Sequence, residues 1–368
     1  IEGFVDRAQI PNPMGAHRLL VEPRDWPSRD DGLVFLWKTA LDPNLVRDPL
    51  TKVSHTYELE GHEKARLDHN HAMLVSGGYF RVLEFARREM ETLRGSGSVT
   101  AEATIRPVIS ETNGDGELAG IVTLAHEIDE NESVSFALVQ SGDELGVRLG
   151  TSLTGPLGSE LFNLGRLSTS EPTHVIVSYH PGRLTGYLNG ERVLDTNAVQ
   201  GNLSTWTELD LLQFGMGHGS VSEWDGAIEG VAFYSRFMEA GEAAANARAY
   251  LDLIGEREPV ERIELRGKLV GQSHVPTLKE IVPYREALVM YEYEVLEVLG
   301  GELGDDTVRV AHWAILDGNL QPIAEREVGE KDRLVLELLD SNPQVQSIYL
   351  SDTLELHLDV PVYLDVDP

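Results

Sequence analysis

Asn189-Gly190, set between the apolar flanks LTGYL and ERVL, constrains this chain more than any other pair of residues. Both residues tolerate positive φ, so the pair takes the centre of a type I′ turn, whose twist joins two antiparallel strands without splaying them. The hairpin lies inside a longer stretch, Thr173 to Phe237. There HVIVSY alternates apolar with polar or small residues, the period of a strand with one buried face. HPGR turns the chain, LDLLQFG is a short apolar strand stopped by glycine, and AIEGVAFYSR alternates again. Four or five antiparallel strands within about sixty-five residues predict a β-sandwich.

The same stretch carries a resemblance. His174, Val175, Val177 and Tyr179 form HVxVxY; Tyr187, Asn189 and Gly190 open YxNGxxV; and Gly215 ends an apolar strand. After Trp224, the residues Asp225, Gly226, Ile228, Glu229, Val231, Tyr234 and Arg236 follow in the order DGxIExVxxYxR. This order resembles the bacterial form of the laminin-G and concanavalin A-like jelly-roll superfamily. The likeness extends to Gly32–Trp37, to Gly77-Gly78-Tyr79-Phe80 and to Val99–Arg106, and so covers about residues 30–240. It implies a jelly-roll sandwich. Lectins, adhesion modules, glycosidases and polysaccharide lyases all share that fold, which therefore does not choose among them.

The rest of the chain divides around this domain. Residues 1–31, with Pro11, Pro13, Pro23 and Pro27, read as an extended arm. GLVFLWKTAL begins the sandwich as a buried strand, and ARREMETLRG is a charged insertion of about a helical turn ending at Gly95. EAGEAAANARAYLDLIGERE predicts a helix that closes the first domain, which spans residues 32–256. From about Pro259 the pattern changes to five further strands with glycine-containing or charged turns. Five strands over residues 259–368 suit a small closed barrel. The order RGKLV, YEYEVLEVLGG, VRVAHW resembles an oligonucleotide/oligosaccharide-binding (OB) or netrin-like barrel, in which the long strand bends across both sheets. The fold class is therefore all-β: a concanavalin A-like sandwich followed by an OB-like barrel.

Composition removes several function classes. Sixty-one acidic side chains against thirty basic ones give a formal charge of −31, so nucleic acid and anionic membrane surfaces repel the chain on approach. There is no cysteine, which excludes disulfides, thiolate zinc sites and cysteine nucleophiles. No run reaches the ~18 apolar residues of a membrane helix. A start at Ile1 reads as a mature or trimmed form.

Candidate chemistry is sparse. The resemblance implies that Asp225 joins backbone carbonyls and an early acid, Asp48 or Asp31, to hold a structural Ca2+; the plainer reading is a turn cap before Gly226. His69 and His71, two apart, would share one face of a strand and could hold a transition metal given a third ligand. For hydrolysis the fold's glycosidases carry carboxylates alternating along one strand; the nearest match is Glu208-Leu209-Asp210, without a third acid. Tyr179-His180 would point to opposite faces, against a lyase pair. Trp206 in NLSTWTEL is the best candidate for an exposed sugar-stacking ring, whereas Trp224 reads as packed at its turn and Trp313 as barrel core. These residues point to a non-catalytic recognition module outside the cytoplasm. It would bind a polysaccharide or surface protein, with calcium holding its loops and oligomer formation compatible with the arm. The alternatives are a polysaccharide hydrolase or lyase and a structural subunit of a surface assembly.

Overall fold

The computed structural model describes residues 26–38, 46–47, 56–108, 117–128, 131–168, 171–217, 221–355 and 360–367. The proline-bearing arm up to residue 25, Asp48 and the loop at 109–116 lie outside these residues.

Two large antiparallel sheets face each other. The first runs in the order Glu191–Thr196, Arg183–Leu188, Thr173–His180, Val99–Pro107, Gly226–Tyr234, Met73–Leu74 and Arg66–Leu67, with Leu33–Lys38 also paired to Gly226–Tyr234. The second runs Phe162–Arg166, Glu144–Leu149, Asn131–Ser141, Leu118–Ile128, Leu211–Phe214, Gly78–Val82 and Leu59–Glu63. Chain neighbours in sequence are often not neighbours in a sheet, as a jelly roll requires. The sheets close over one apolar cluster in which Phe233 meets Phe35, Phe85 and Phe136 with ring centroids 6.3, 5.8 and 5.8 Å away. Such offset and edge contacts add roughly 0.5–1.5 kcal/mol per pair to the burial itself.

The Asn189-Gly190 turn has φ of 49° and 83°, as a type I′ turn demands, and the Asn189 side chain accepts a 2.8 Å bond from the His174 amide. The strands that flank it depart from the sequence expectation. Thr173–His180 is buried on both faces rather than one. The outer face is covered by the helix Ala240–Gly255, whose Ala243, Ala247 and Tyr250 are buried, Ala243 and Tyr250 in one cluster with Ile176 and Tyr187. A covered face removes the polar alternation that an open sheet would need. ARREMETLRG also differs: it belongs to a twelve-residue helix, Phe85–Ser96, anchored by buried Phe85, Met90 and Leu93. It is capped by Gly97 at φ 64°, whose amide reaches the carbonyls of Leu93 and Arg94, so Gly95 is interior.

The second half closes into a ring of five strands. Ile263–Gln272 pairs with Ala287–Gly300, which pairs with Thr307–Leu316; Val362–Asp365 lies parallel to the latter and antiparallel to Lys331–Leu338, which returns to Ile263–Gln272. Fourteen-residue Ala287–Gly300 bends enough to serve two neighbours through three register shifts against Ile263–Gln272. Its inner face carries Val289, Tyr291 and Tyr293 into the barrel core.

Candidate functional site

Strand alternation builds the candidate surface. In Gly78–Val82, Phe80 and Val82 enter the core, so Tyr79 and Arg81 face outward. In Glu144–Leu149, Val147 and Leu149 are core and Arg148 faces outward. Cross-strand register then lines up one row on the outer face of the second sheet: Arg81 opposite Gln213, Gln213 opposite Thr123, Thr123 opposite Ala137, and Ala137 opposite Arg148; the three residues between the arginines are buried, so the half-buried arginines stand at the two ends of a covered strip. Four strand spacings of about 4.8 Å set the two arginines roughly 19 Å apart.

The two guanidiniums are alike in what they lack. Among the described residues neither makes an ion pair, and the buried Nε of each is without a hydrogen-bond partner. Arg81 donates from Nη2 to the Tyr79 hydroxyl at 3.4 Å. The Tyr79 ring stacks on His62 at 4.7 Å and 21°. A planar donor fork beside a stacked ring pair can take a carboxylate and an apolar ring face together.

Beyond His62 the face ends in a cleft of about 450 Å³, with Tyr284, Arg285, Glu286 and Asp317 of the barrel on its far wall. Asp317, at φ 46°, spans the two halves: one oxygen takes Arg285, the other lies 3.5 Å from His62 Nδ1 and accepts the Glu63 amide at 3.1 Å. Burial pushes the Glu286 carboxyl above its ordinary range, and Asp317 adds to the push.

The residues singled out from sequence fall elsewhere. Trp206, expected on the surface, is fully buried and donates from Nε1 to the Gly150 carbonyl at 2.8 Å, so it is a core residue and offers no sugar platform. The loop polarity that suggested exposure comes from neighbours that face solvent around an inward indole. Glu208 and Asp210 do not share a cleft. Glu208 is exposed, while the Asp210 side chain is buried between His126 Nδ1 at 2.5 Å and Ser135 Oγ at 2.7 Å, and it also accepts the Thr207 amide. His69 and His71 are not on one strand. They belong to the turn between Arg66–Leu67 and Met73–Leu74, where His71 has φ 62° and the Asp68 carboxylate accepts the amides of Asn70 and Ala72. His69 instead faces the barrel, with Nδ1 3.3 Å from Glu337.

Asp225 is half-buried, and its carbonyl accepts the Val108 amide at 3.0 Å. Burial raises the carboxyl of nearby Glu223, with Glu63 and Asp225 adding to it. Among the described residues no three histidine or acidic side chains converge to hold a metal. Gly226 has a steric cause, since a Cβ there would lie 2.3 Å from the Trp224 ring. Trp224 is buried and donates to Gln140 at 2.6 Å. Trp313 lies outside the barrel core, in a cluster with Leu316, Val345 and Leu364. Tyr179 is buried, its hydroxyl on the Gly201 carbonyl, and Tyr187 is buried beneath the covering helix. Sequence reasoning missed Arg81 and Arg148. Their signal was an arginine at the outward position of an otherwise apolar strand, in GYFRV and ELGVRL.

Residues 90–244 match a family model described as the concanavalin A-like lectin/glucanases superfamily. No curated protein shows a significant sequence match. Among solved structures, the chain is similar to Trypanosoma rangeli sialidase at 14% identity and TM-score 0.44, over 61% of this chain and 34% of that one. It thus spans about a third of the sialidase's length. It is also similar to the Ruminococcus gnavus IT-sialidase CBM40 bound to α2,3-sialyllactose, at 16% identity and TM-score 0.34, over 40% of this chain and 81% of that one. The binding domain of botulinum neurotoxin serotype D/C aligns at 11% identity and TM-score 0.47, over 86% and 87% of the two chains.

Proposed function

With residues 90–244 matching the concanavalin A-like lectin/glucanases superfamily, we propose that this chain is a non-catalytic recognition module, acting outside the cytoplasm, for a carboxylate-bearing glycan. The observation that carries the reading is the pair Arg81 and Arg148, on one sheet face without carboxylate partners among the described residues, in a chain of charge −31. The acidic surplus of the chain discourages an anion, so two guanidiniums without a carboxylate partner among the described residues mark where one is tolerated. A carboxylate of the polysaccharide could engage either fork, and at Arg81 a sugar ring could lie against Tyr79.

Retention of the full chain on immobilised polygalacturonate, compared with neutral galactan and measured with and without Ca2+, tests this. Retention on the acidic polymer is expected, weakening as salt rises. Arg81→Ala and Arg148→Ala should each lower affinity about tenfold or more. Equal retention on the neutral polymer, or no effect of either variant, would sink the reading. Loss on chelation would assign calcium a part in the loops around Asp225.

A second reading has its own support. Glu286, held above the ordinary carboxylate range beside Asp317 in a cleft, has the environment of a general acid. Against it, both Asp317 oxygens are already engaged. New reducing or unsaturated ends in the same incubation, lost in Glu286→Gln, would establish catalysis.

A further inference from the structure

The mouth of the barrel holds polar groups that the sheet-face site does not use. A cleft of about 270 Å³ opens there between the barrel and the sandwich residues Lys64 and Arg66. Trp313, Leu316 and Ile323 supply its apolar wall. The Asp332 side chain lines it with only 7% of its surface exposed; one oxygen takes Arg326 at 2.8 Å, while Oδ2 is buried without a hydrogen-bond partner among the described residues.

Two more such atoms are buried on the barrel strands Ala287–Gly300 and Thr307–Leu316. Among the described residues the Tyr293 hydroxyl and His312 Nε2 are buried without a hydrogen-bond partner, the rings 5.6 Å apart, and the other His312 nitrogen is 3.1 Å from Asp365. Burial raises the Tyr293 hydroxyl far above its ordinary value, and Asp332 and Asp365 push it further, so it stays protonated. A buried polar atom without a partner is destabilising, and the one that lines the cleft, Asp332 Oδ2, calls for a polar guest.

We infer that the barrel mouth is a second binding site, for a small neutral polyhydroxylated molecule of about one sugar ring. Charge selects neutrality: Lys64, Arg66, Arg326 and Arg333 stand against Asp332, Asp365 and Asp367, leaving little net field for an ion. Chemistry selects hydroxyls, which can donate to Asp332 Oδ2 and accept from the guanidiniums. Trp313 and Ile323 present apolar surface to the C–H face of a ring. The volume sits just below the usual range of small-ligand sites, about 300–1,000 Å³, which limits the guest to one ring. Because Lys64 and Arg66 come from the sandwich, occupancy would also tie the two halves together.

The test is saturation-transfer NMR on the full chain with D-glucose, D-galactose and N-acetylglucosamine as probes. At least one sugar is expected to bind, and Asp332→Asn and Gln321→Trp, the latter filling the cleft from its rim, should each weaken it about tenfold or more. Arg148→Ala, on the distant sheet face, should leave it within about twofold, which separates this site from the glycan face. Circular dichroism checks folding, and Gln321→Trp carries the test should Asp332→Asn not fold. Binding by no probe, binding unchanged in Gln321→Trp, or binding lost in Arg148→Ala would overturn the inference.

Discussion

Glu102 and His174 meet 2.9 Å apart with no exposure to solvent, on neighbouring strands beneath the helix Ala240–Gly255. Three donors also close on the Glu102 carboxyl: Trp26 Nε1 at 2.5 Å, the Tyr234 hydroxyl at 2.9 Å and Asn246 Nδ2 at 3.0 Å. Burial outweighs them and lifts Glu102 to about 7, while it drives His174 down to about 3 and keeps that ring neutral.

A raised carboxyl binds its proton more tightly when folded. Its stabilisation is complete below about 4.5 and is lost as pH climbs through about 7. The stability of the native chain minus that of Glu102→Gln should therefore fall by on the order of 3 kcal/mol between pH 4 and pH 8. His174 is common to both proteins and cancels. Urea midpoints across that range measure the difference, and a flat difference would show that Glu102 titrates normally.

His69 joins the sandwich turn to the barrel through Glu337, whose other oxygen accepts Arg262 Nε at 2.9 Å. The hydrogen bond to Glu337 raises His69 above its ordinary value despite partial burial. This contribution is full below about 6.5 and fades as pH rises through the elevated value. His69→Gln should cost about 1–3 kcal/mol at pH 6 and much less at pH 9. Thermal melts of both proteins at the two pH values check it, and equal losses would leave the residue a packing role only.

Trp206→Ala should destabilise the sandwich by about 3–5 kcal/mol, since it empties core volume and strands the Gly150 carbonyl. Affinity for acidic glycan, measured below the lowered melting temperature, should stay within about twofold. A selective loss of binding without loss of stability would return the residue to the surface.

Much of the architecture was legible from local signals. The Asn189-Gly190 turn, the short strands around it, the alanine-rich helix and the five strands after Pro259 are each specified by residues close in sequence. The reach of the Phe85–Ser96 helix was not, because its charged face dominates ARREMETLRG and its apolar anchors are only Phe85, Met90 and Leu93. Burial of both faces of Thr173–His180 depends on a helix that starts sixty residues beyond that strand's end. The candidate site was the least legible. Trp206 and Asp210 carry residue types that serve ligands and cores alike, and only packing separates the two uses. Arg81 and Arg148 are sixty-seven positions apart and become a pair only through the register of the four strand pairings between them.

The barrel's closing strand, Val362–Asp365, is inserted between Thr307–Leu316 and Lys331–Leu338 and is the last of the five to leave the ribosome. Until it arrives, both neighbours present unpaired edges, while the sandwich strands have already been synthesised. The sandwich can therefore fold first and hold the turn bearing His69 ready as a template, and the unfinished barrel is the interval in which a nascent chain is open to mispairing with another.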